Sequence, residues 1–171
     1  KYVGHEIRAV IMNKLEMDVR DTVLLANAES IAVEASMVAY EGVVIAAERD
    51  AGSLRTMEEN ASKFGTHNIE IIPEITVEAL EKLPTPRLAF IVAQKSNIEN
   101  DIVTLLKVNP KIKFIIYTLE LDILADIKYL MKKHGVDVTE VMQIAVSKVD
   151  KNGVFVAQPA PWMITCEVKE K

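Results

Sequence analysis

The sequence predicts an open α/β fold with a mostly parallel, seven-stranded sheet, helices on both faces and an antiparallel pair at one edge. Apolar runs with strand character alternate five times with segments of helical spacing. Most of these runs are apolar almost without interruption, as in parallel strands that are covered on both faces. The last two strands follow each other without a helix, so they must pair antiparallel or lie apart.

Residues 22–40 form the unit around which the rest of the chain is organised. Thr22–Ala26 is an apolar strand, residues 27–30 are a turn, and helical spacing follows at Ile31, Glu34, Ala35 and Val38. The first strand–helix turn of such a sheet is the usual ligand site, because the helix N-terminus offers unpaired N–H groups. This turn lacks the glycine that lets backbone approach a ligand. Asn27 can still adopt left-handed geometry, and Ser30 is predicted to be the N-cap.

The other elements follow in the order that this fold requires. We predict helices over residues 4–17, 76–83, 98–106 and 121–134, and strands over 43–47, 68–72, 87–93, 111–118, 136–148 and 162–168. One more helix is capped by Asp50 or Ser53 and ended by Gly65, with its buried stripe at Leu54, Met57, Ala61 and Phe64. The stripe of the helix over 121–134 is Leu121, Leu124, Ile127, Leu130 and Met131.

Composition limits the class of protein. The 171 residues suit one domain over 1–171, and the chain is also compatible with the C-terminal half of a longer fused protein. The net charge of −5 argues against nucleic acid as a partner, since phosphate binding needs a basic face. We expect no membrane span, because no apolar run reaches about 18 residues. One cysteine and no charged-then-apolar leader predict a cytoplasmic protein.

Metal and nucleophile chemistry find little support in the sequence. His5, His67 and His134 are scattered without a partner at ligand spacing, so we expect no metal site. His134 is better explained as a residue at a helix C-terminus. Cys166 lies in an apolar strand and is interpreted as a core residue.

Five strand–helix units and a strand–strand closure are the architecture of class I methyltransferases, which use S-adenosylmethionine on a Rossmann-like fold. Short motifs in a fixed order narrow the class further: His5-Glu6-Ile7-Arg8-Ala9, Ala32-Val33-Glu34-Ala35-Ser36, Ala47-Glu48-Arg49-Asp50, Asn60 with Phe64-Gly65 and Asn68, Leu83-Pro84 with Phe90-Ile91, Thr118-Leu119-Glu120, and Gln143 with Val146-Ser147-Lys148. Together they resemble the decarboxylating precorrin methyltransferase family of cobalamin biosynthesis, over nearly the whole chain.

This resemblance implies a function and a set of site residues. The function is transfer of a methyl group from S-adenosylmethionine to carbon 15 of a precorrin tetrapyrrole, with loss of a carboxyl group, by a homo-oligomer with a fused or partner C5-methyltransferase domain. Catalysis would be mainly orientation, and no catalytic residue is implied. The implied cofactor-binding residues are Asn27, Ala28, Glu48, Arg49 and Ala93. The implied substrate-binding residues are Arg8, Lys95 and Lys148.

Each of these roles has a simpler alternative. Glu48 matches the acid that takes the ribose hydroxyls, but it is also explained as a solvated acid that pairs with Arg49 or precedes a helix. Arg8, Lys95 and Lys148 suit a substrate rich in carboxylates, but each is also explained as an ordinary surface charge.

The chain departs from the family at both glycine-rich turns. The family's first turn resembles DIGAGSGSVSIEA, whereas this chain is about two residues shorter there. Leu25 most nearly replaces the acid, and no glycine remains. The second turn resembles FIGGSGGNL, and all four glycines are replaced in residues 90–98. We hypothesise that S-adenosylmethionine binds weakly or not at all.

Two functions therefore stay open. One is the C15-methyltransferase, and the other is a degenerate methyltransferase-fold protein that serves assembly or substrate handling. An unrelated nucleotide-binding protein is disfavoured, because the chain has no glycine-rich phosphate loop.

Overall fold

The computed structural model describes residues 4–170 of the chain. Its helices are α1 His5–Leu15, α2 Glu29–Val38, α3 Ala51–Lys63, α4 Val77–Leu80, α5 Ile98–Val108 and α6 Leu121–Lys133. Its strands are β1 Thr22–Ala26, β2 Val43–Ala47, β3 Ile69–Ile72, β4 Leu88–Val92, β5 Lys113–Thr118, β6 Val136–Gln143, β7 Ser147–Val149, β8 Phe155–Ala157 and β9 Trp162–Val168.

The strands of the main sheet lie in the order β3-β2-β1-β4-β5-β9-β6, and β7 pairs with β8 in a separate two-stranded sheet. Strands β1 to β5 are parallel, whereas β9 is antiparallel to both β5 and β6. The predicted fold class is therefore confirmed. The strand order reverses between β1 and β4, and the crevice beyond the carboxyl ends of strands at such a switch point is the usual ligand position.

Helices cover both faces of the sheet, which explains why β1 is apolar without alternation. Val23 and Leu25 pack with α1, α2 and α3, whereas Leu24 and Ala26 pack with α4, α5 and α6. All four side chains are buried. A strand covered on both faces has no solvent side, so the sequence needs no polar residue within it.

The edge where the parallel strands begin, the amino edge, is closed by polar side chains. Arg87 donates from Nε and Nη2 to the Asp21 carboxylate at 2.6–3.0 Å, and Nη2 also donates to the Leu15 carbonyl at 3.0 Å. Asn68 Nδ2 donates to the carbonyls of Ser36 and Ala39 at 3.0 and 2.7 Å. The Arg87 bonds therefore join α1 to β1 and β4, and the Asn68 bonds join α2 to β3.

Two predicted helix stripes are wrong at one end. Phe64 is 55% exposed at the C-cap of α3, where the Lys63 ammonium lies 5.7 Å from its ring centroid. Leu121 is 76% exposed, because it is the first residue of α6 and lies before the first buried residue of that helix, Ile123. The buried residues of α6 are Ile123, Ile127 and Met131, at a spacing of one turn.

The single strand predicted over 136–148 is also wrong, since the chain forms two separate strands there. β6 ends at Gln143, and β7 pairs with β8 in a hairpin. The sequence analysis did not predict β8. The turn of this hairpin needs Gly153 at φ +77°, and Asp150 Oδ1 accepts from the N–H groups of Asn152 and Val154. Such short strands leave too little pattern to be read from sequence.

The helix boundaries correct some predicted caps and confirm others. Ser30 is not an N-cap, because Ala28 holds that position and Ser30 lies inside α2. Asp50 is the cap of α3, where its carboxylate accepts from the Ser53 N–H at 2.8 Å. Gly65 has φ +65°, as its predicted place after α3 requires. The helix predicted over 76–83 is limited to α4, capped by Thr76.

Candidate functional site

An apolar cleft of about 190 Å³ lies at the carboxyl ends of β1, β4 and β5. Its apolar walls are Ile11 of α1, Ile31 of α2, and Phe90, Val92, Ala93 and Tyr117. Polar groups come from Asn27, Ser30, Thr118 and Glu120 at the strand ends. The ring centroids of Phe90 and Tyr117 are 6.0 Å apart and the rings are tilted by 58°, so the two aromatic side chains of the cleft pack against each other.

The turn after β1 consists of Asn27 and Ala28, because α2 begins at Glu29. Asn27 has φ +58°, which is the left-handed geometry predicted for it. Its backbone N–H donates to the Ala47 carbonyl at 2.9 Å, and its Nδ2 donates to the Val92 carbonyl at 3.2 Å. Asn27 Oδ1 is buried and finds no hydrogen-bond partner within residues 4–170.

Glu48 lies directly after β2, and it is buried rather than solvated. It is 4% exposed, its Oε1 accepts from the Asp50 N–H at 3.2 Å, and Oε2 lacks a partner in the described part of the chain. Burial raises the pKa of Glu48, and the nearby carboxylates of Glu29 and Asp50 raise it further. The hydrogen bond from the Asp50 N–H lowers the pKa but does not cancel this rise. Glu48 does not line the cleft.

Arg49 pairs with a residue that the sequence did not single out. Its Nη1 and Nη2 donate to the two carboxylate oxygens of Asp101 at 3.3 and 2.8 Å, and Asp101 is 1% exposed. Burial raises the pKa of Asp101, whereas Arg49 opposes that rise. One signal was present, since Asp101 lies on the buried stripe of α5 with Ile98, Ile102 and Leu105. An acid on such a stripe requires a partner.

The three predicted substrate cations each have a carboxylate partner. Arg8 Nε lies 3.5 Å from Glu34, Lys95 Nζ lies 3.0 Å from Asp122, and Lys148 pairs with Glu6 of α1. The pairing of Lys148 with Glu6 brings it to the same helix as Arg8, whereas Lys95 lies on the loop after β4. Arg8 is three residues from Ile11 on α1, but Arg8 does not line the cleft.

Of the remaining titratable side chains, Cys166 and His134 lie away from the cleft, whereas Tyr117 lines it. Cys166 is fully buried in β9, and burial raises the pKa of its thiol to about 12, so the thiol is protonated and inert at neutral pH. His134 is the C-cap of α6, with Nε2 3.7 Å from Glu99. Tyr117 was not predicted from sequence, and burial raises the pKa of its hydroxyl. The Tyr117 hydroxyl, a hydrogen-bonding group of a residue that lines the cleft, is therefore protonated at neutral pH.

Residues 4–170 contain no group of three or more His, Cys, Asp and Glu side chains arranged to hold a metal ion. None of the helices there has the length and apolar character needed to cross a bilayer.

The strand order, the antiparallel β9 and a cleft at the switch point define a class I methyltransferase fold. The chain belongs to the precorrin methyltransferase domain family of cobalamin biosynthesis, which it matches over residues 3–168. A comparison with curated proteins finds no match.

Solved structures of this fold resemble the chain over almost its whole length. A precorrin-6Y C5,15-methyltransferase from Geobacter metallireducens is 24% identical at a TM-score of 0.87, covering 98% of this chain and 90% of that one. A precorrin 8W decarboxylase from Methanobacterium thermoautotrophicum is 19% identical at a TM-score of 0.81, covering 98% and 92%. A candidate tRNA (m1A22) methyltransferase from Streptococcus pneumoniae, in complex with S-adenosyl-L-methionine, is 13% identical at a TM-score of 0.68, covering 99% and 75%.

The residues of this chain fit one half of S-adenosylmethionine and not the other. Glu48 Oε2, which has no hydrogen-bond partner within residues 4–170, is an acceptor that a ribose hydroxyl would satisfy. The methionine half needs an anionic partner for its ammonium and backbone N–H groups for its carboxylate. Leu25 is buried in the core where the acid is expected, and two residues with side chains form the turn where glycines are expected. The chain therefore does not fit the whole cofactor.

Proposed function

We propose that this chain binds a precorrin-type tetrapyrrole at the carboxyl ends of its strands, and that it does so without S-adenosylmethionine. The observation that carries this proposal is the two-residue connection between β1 and α2. It retains the fold and an apolar cleft, but it leaves no glycine loop against which a charged methionine group could lie.

The cleft supports partial insertion of the ligand. Its volume of about 190 Å³ is below the roughly 300–1,000 Å³ of pockets that enclose a whole drug-sized ligand. One edge of a macrocycle would enter between Phe90 and Ile31, and the rest would lie across the mouth. Carboxylate side chains of the macrocycle would then meet Arg8, Lys95 and Lys148. The present ion pairs of Lys95 and Lys148 are well exposed, so exchanging their partners costs little.

The second candidate function is C15 methylation with decarboxylation, which the family resemblance implies. The observation in its favour is Glu48 Oε2 at the end of β2, which has no partner among the described residues 4–170. In that case Asn27, Ala28, Glu48, Arg49 and Ala93 would hold S-adenosylmethionine, and the buried turn would have to open to admit it.

Calorimetric titration separates the two candidates. We expect no saturable heat with S-adenosylmethionine or S-adenosylhomocysteine up to about 1 mM, which is the weak end of measurable affinity. Micromolar binding of either compound would overturn the cofactor-free proposal, and methyl transfer to a precorrin would then be assayed.

Tetrapyrrole binding has its own readout in Trp162. This residue is the β9 partner of Thr118, which lines the cleft, so a bound macrocycle should quench its fluorescence. Uroporphyrin is a stable polycarboxylate probe. We expect Ser30→Leu, which projects into the cleft, to weaken quenching about tenfold or more, because a filled pocket loses its shape complementarity. Ser62→Leu on an exposed turn of α3 is the matched control. Equal quenching by both variants would contradict the location of the site.

The same proposal includes a single methyltransferase-like domain over 1–171, a cytoplasmic location, and a homo-oligomer with a fused or partner C5-methyltransferase domain. Exposed apolar side chains on the hairpin of β7 and β8 support assembly: Val149, Phe155 and Val156 are 54%, 75% and 53% exposed. Light scattering of the purified chain tests the oligomer, and a monomeric mass at micromolar concentration would contradict it.

A further inference from the structure

Beside the apolar cleft, the ends of β1 and β2 face the end of β4 and α5 across the switch point, and we call the space between them the crevice. Its two walls belong to different parts of the chain. One wall is formed by the ends of β1 and β2 with the residues that follow them. The other is formed by the end of β4 and by α5, which follows β4. A ligand at a switch point lies between two such walls and binds to both.

Asn27 joins the walls at the centre of the crevice. Its backbone N–H is bonded to Ala47 of β2, and its side-chain amide is bonded to Val92 of β4. The left-handed φ of +58° turns this side chain towards β4. One residue therefore ties the end of β1 to both of its neighbouring strands.

Arg49 and Asp101 join the same walls at the side of β2. The guanidinium comes from the loop after β2, and the carboxylate comes from the fourth residue of α5. The bidentate geometry fixes direction as well as distance. The Asp101 side chain is 2% exposed, so separation from Arg49 would leave a buried carboxylate without a counter-charge.

We infer that these two crossing bonds, Asn27 to Val92 and Arg49 to Asp101, hold the crevice closed in the place where a methyltransferase of this fold would bind its cofactor. Asn27, Arg49 and Asp101 are thus positioning residues that keep the strand ends, and the cleft beside them, ordered without a nucleoside. This inference rests on the cofactor-free function proposed above, but it concerns the chain without any ligand.

Hydrogen exchange followed by mass spectrometry tests the inference on the whole chain. In Asp101→Asn, the amides of residues 93–101 should exchange about tenfold faster or more, because the charge that anchors α5 to the loop after β2 is lost. In Asn27→Gly, which accepts the same φ, exchange should rise around Val92 and Ala93. Neither S-adenosylmethionine nor S-adenosylhomocysteine at about 1 mM should protect these segments in the unmodified chain.

A matched control is available on the same edge. Lys95 pairs with Asp122 at 3.0 Å, but both side chains are about two-thirds exposed, and the pair joins the loop after β4 to α6 rather than the two walls. Asp122→Asn should leave exchange in residues 93–101 within about twofold of the unmodified chain. Because Asn27→Gly tests the second bond separately, a folding defect in one variant leaves the other informative.

Three results would overturn the inference. One is exchange in Asp101→Asn that matches Asp122→Asn, and the second is no change around Val92 in Asn27→Gly. The third is protection of residues 93–101 by either nucleoside in the unmodified chain. Failure of uroporphyrin to bind would instead contradict the proposed function, while faster exchange in Asp101→Asn would still support the closed crevice.

Discussion

The two edges of the sheet differ in how many of their buried polar groups have hydrogen-bond partners. At the amino edge, Asp21 and Arg87 join α1 to β1 and β4, and Asn68 joins α2 to β3. Only His134 Nε2 is buried there without a hydrogen-bond partner within residues 4–170. At the carboxyl edge, Asn27 Oδ1, Glu48 Oε2 and Arg49 Nε are buried without a partner within residues 4–170. Each such atom costs roughly 1–3 kcal/mol of folding free energy. The comparison indicates that the buried polar groups of the amino edge contribute more to the stability of the fold than those of the carboxyl edge.

The largest effect is expected at Gly42, just before β2 on the amino edge. A Cβ there would overlap the backbone of Arg20 and Asp21, where Val43 N–H is bonded to the Asp21 carbonyl at 3.0 Å. Backbone cannot move aside as a flexible side chain can, so Gly42→Ala should reduce the free energy of unfolding by about 3 kcal/mol or more. Urea unfolding followed by circular dichroism measures the change.

Gly52→Ala is the control for this substitution. Gly52 lies in the first turn of α3, where an added Cβ comes no closer than 3.3 Å to the Asp50 carboxylate. The Asp50 Oδ2 atom, which accepts from the Ser53 N–H, would have to shift by a few tenths of an ångström. Alanine is the better helix former, so we expect a net change of less than about 1 kcal/mol there. If Gly42→Ala were as stable as Gly52→Ala, the close backbone packing at the amino edge would not contribute to the stability of the fold.

The second effect concerns the ion pair of Asp21 with Arg87. Arg87→Met leaves the Asp21 carboxylate, 8% exposed, without its partner. Loss of one member of a buried pair costs about 3–5 kcal/mol, but the Arg87 side chain is 43% exposed, so we expect about 2 kcal/mol in urea unfolding.

Arg20→Met removes a comparable pair from the protein surface. Arg20 is 82% exposed and lies 3.1 Å from Glu41, so its loss should cost less than about 1 kcal/mol. Equal losses in Arg87→Met and Arg20→Met would mean that the amino-edge network contributes no more than surface charges do.

The sequence predicted the sheet better than it predicted the candidate site or the polar network at the amino edge. Strands such as β1 were found because residues buried on both faces must all be apolar. Phe64 and Leu121 were misplaced because helical spacing does not specify where the last buried turn lies. Asp101 was missed because its partner Arg49 is 52 residues away, and no local pattern connects a helix stripe to a strand end.

The same argument explains why Asn27 was predicted correctly while Glu48 was described only in part. The left-handed geometry of Asn27 depends on the turn itself, which the sequence contains in full. The burial of Glu48 depends on β3 and on the loops beyond it, including the bond of its N–H to Ile72. A role that follows from neighbours in space can be predicted only when those neighbours are known.

The smallest predicted effect is a gain in stability rather than a loss, and it concerns the substitution Glu48→Gln at the carboxyl edge. Burial raises the folded-state pKa of Glu48, so between the unfolded and folded pKa values the folded protein binds more protons than the unfolded one. Stability therefore falls as pH increases through that window, and the charged carboxylate weakens the fold at neutral pH. Glu48→Gln retains the acceptor for Asp50 N–H and removes the charge, so it should stabilise the protein at pH 7 by about 1 kcal/mol.

Urea unfolding of Glu48→Gln between pH 4 and pH 7.5 gives the sign of this effect. The gain should be largest at neutral pH and should shrink as the pH falls, since protonation already neutralises Glu48 in the unmodified chain. Glu70→Gln, an exposed acid on β3, should show no comparable pH-dependent gain. A loss of stability at pH 7 would mean that the charged carboxylate supports the fold. Glu48 would then belong with the amino-edge groups, and the contrast between the two edges would no longer hold at this residue.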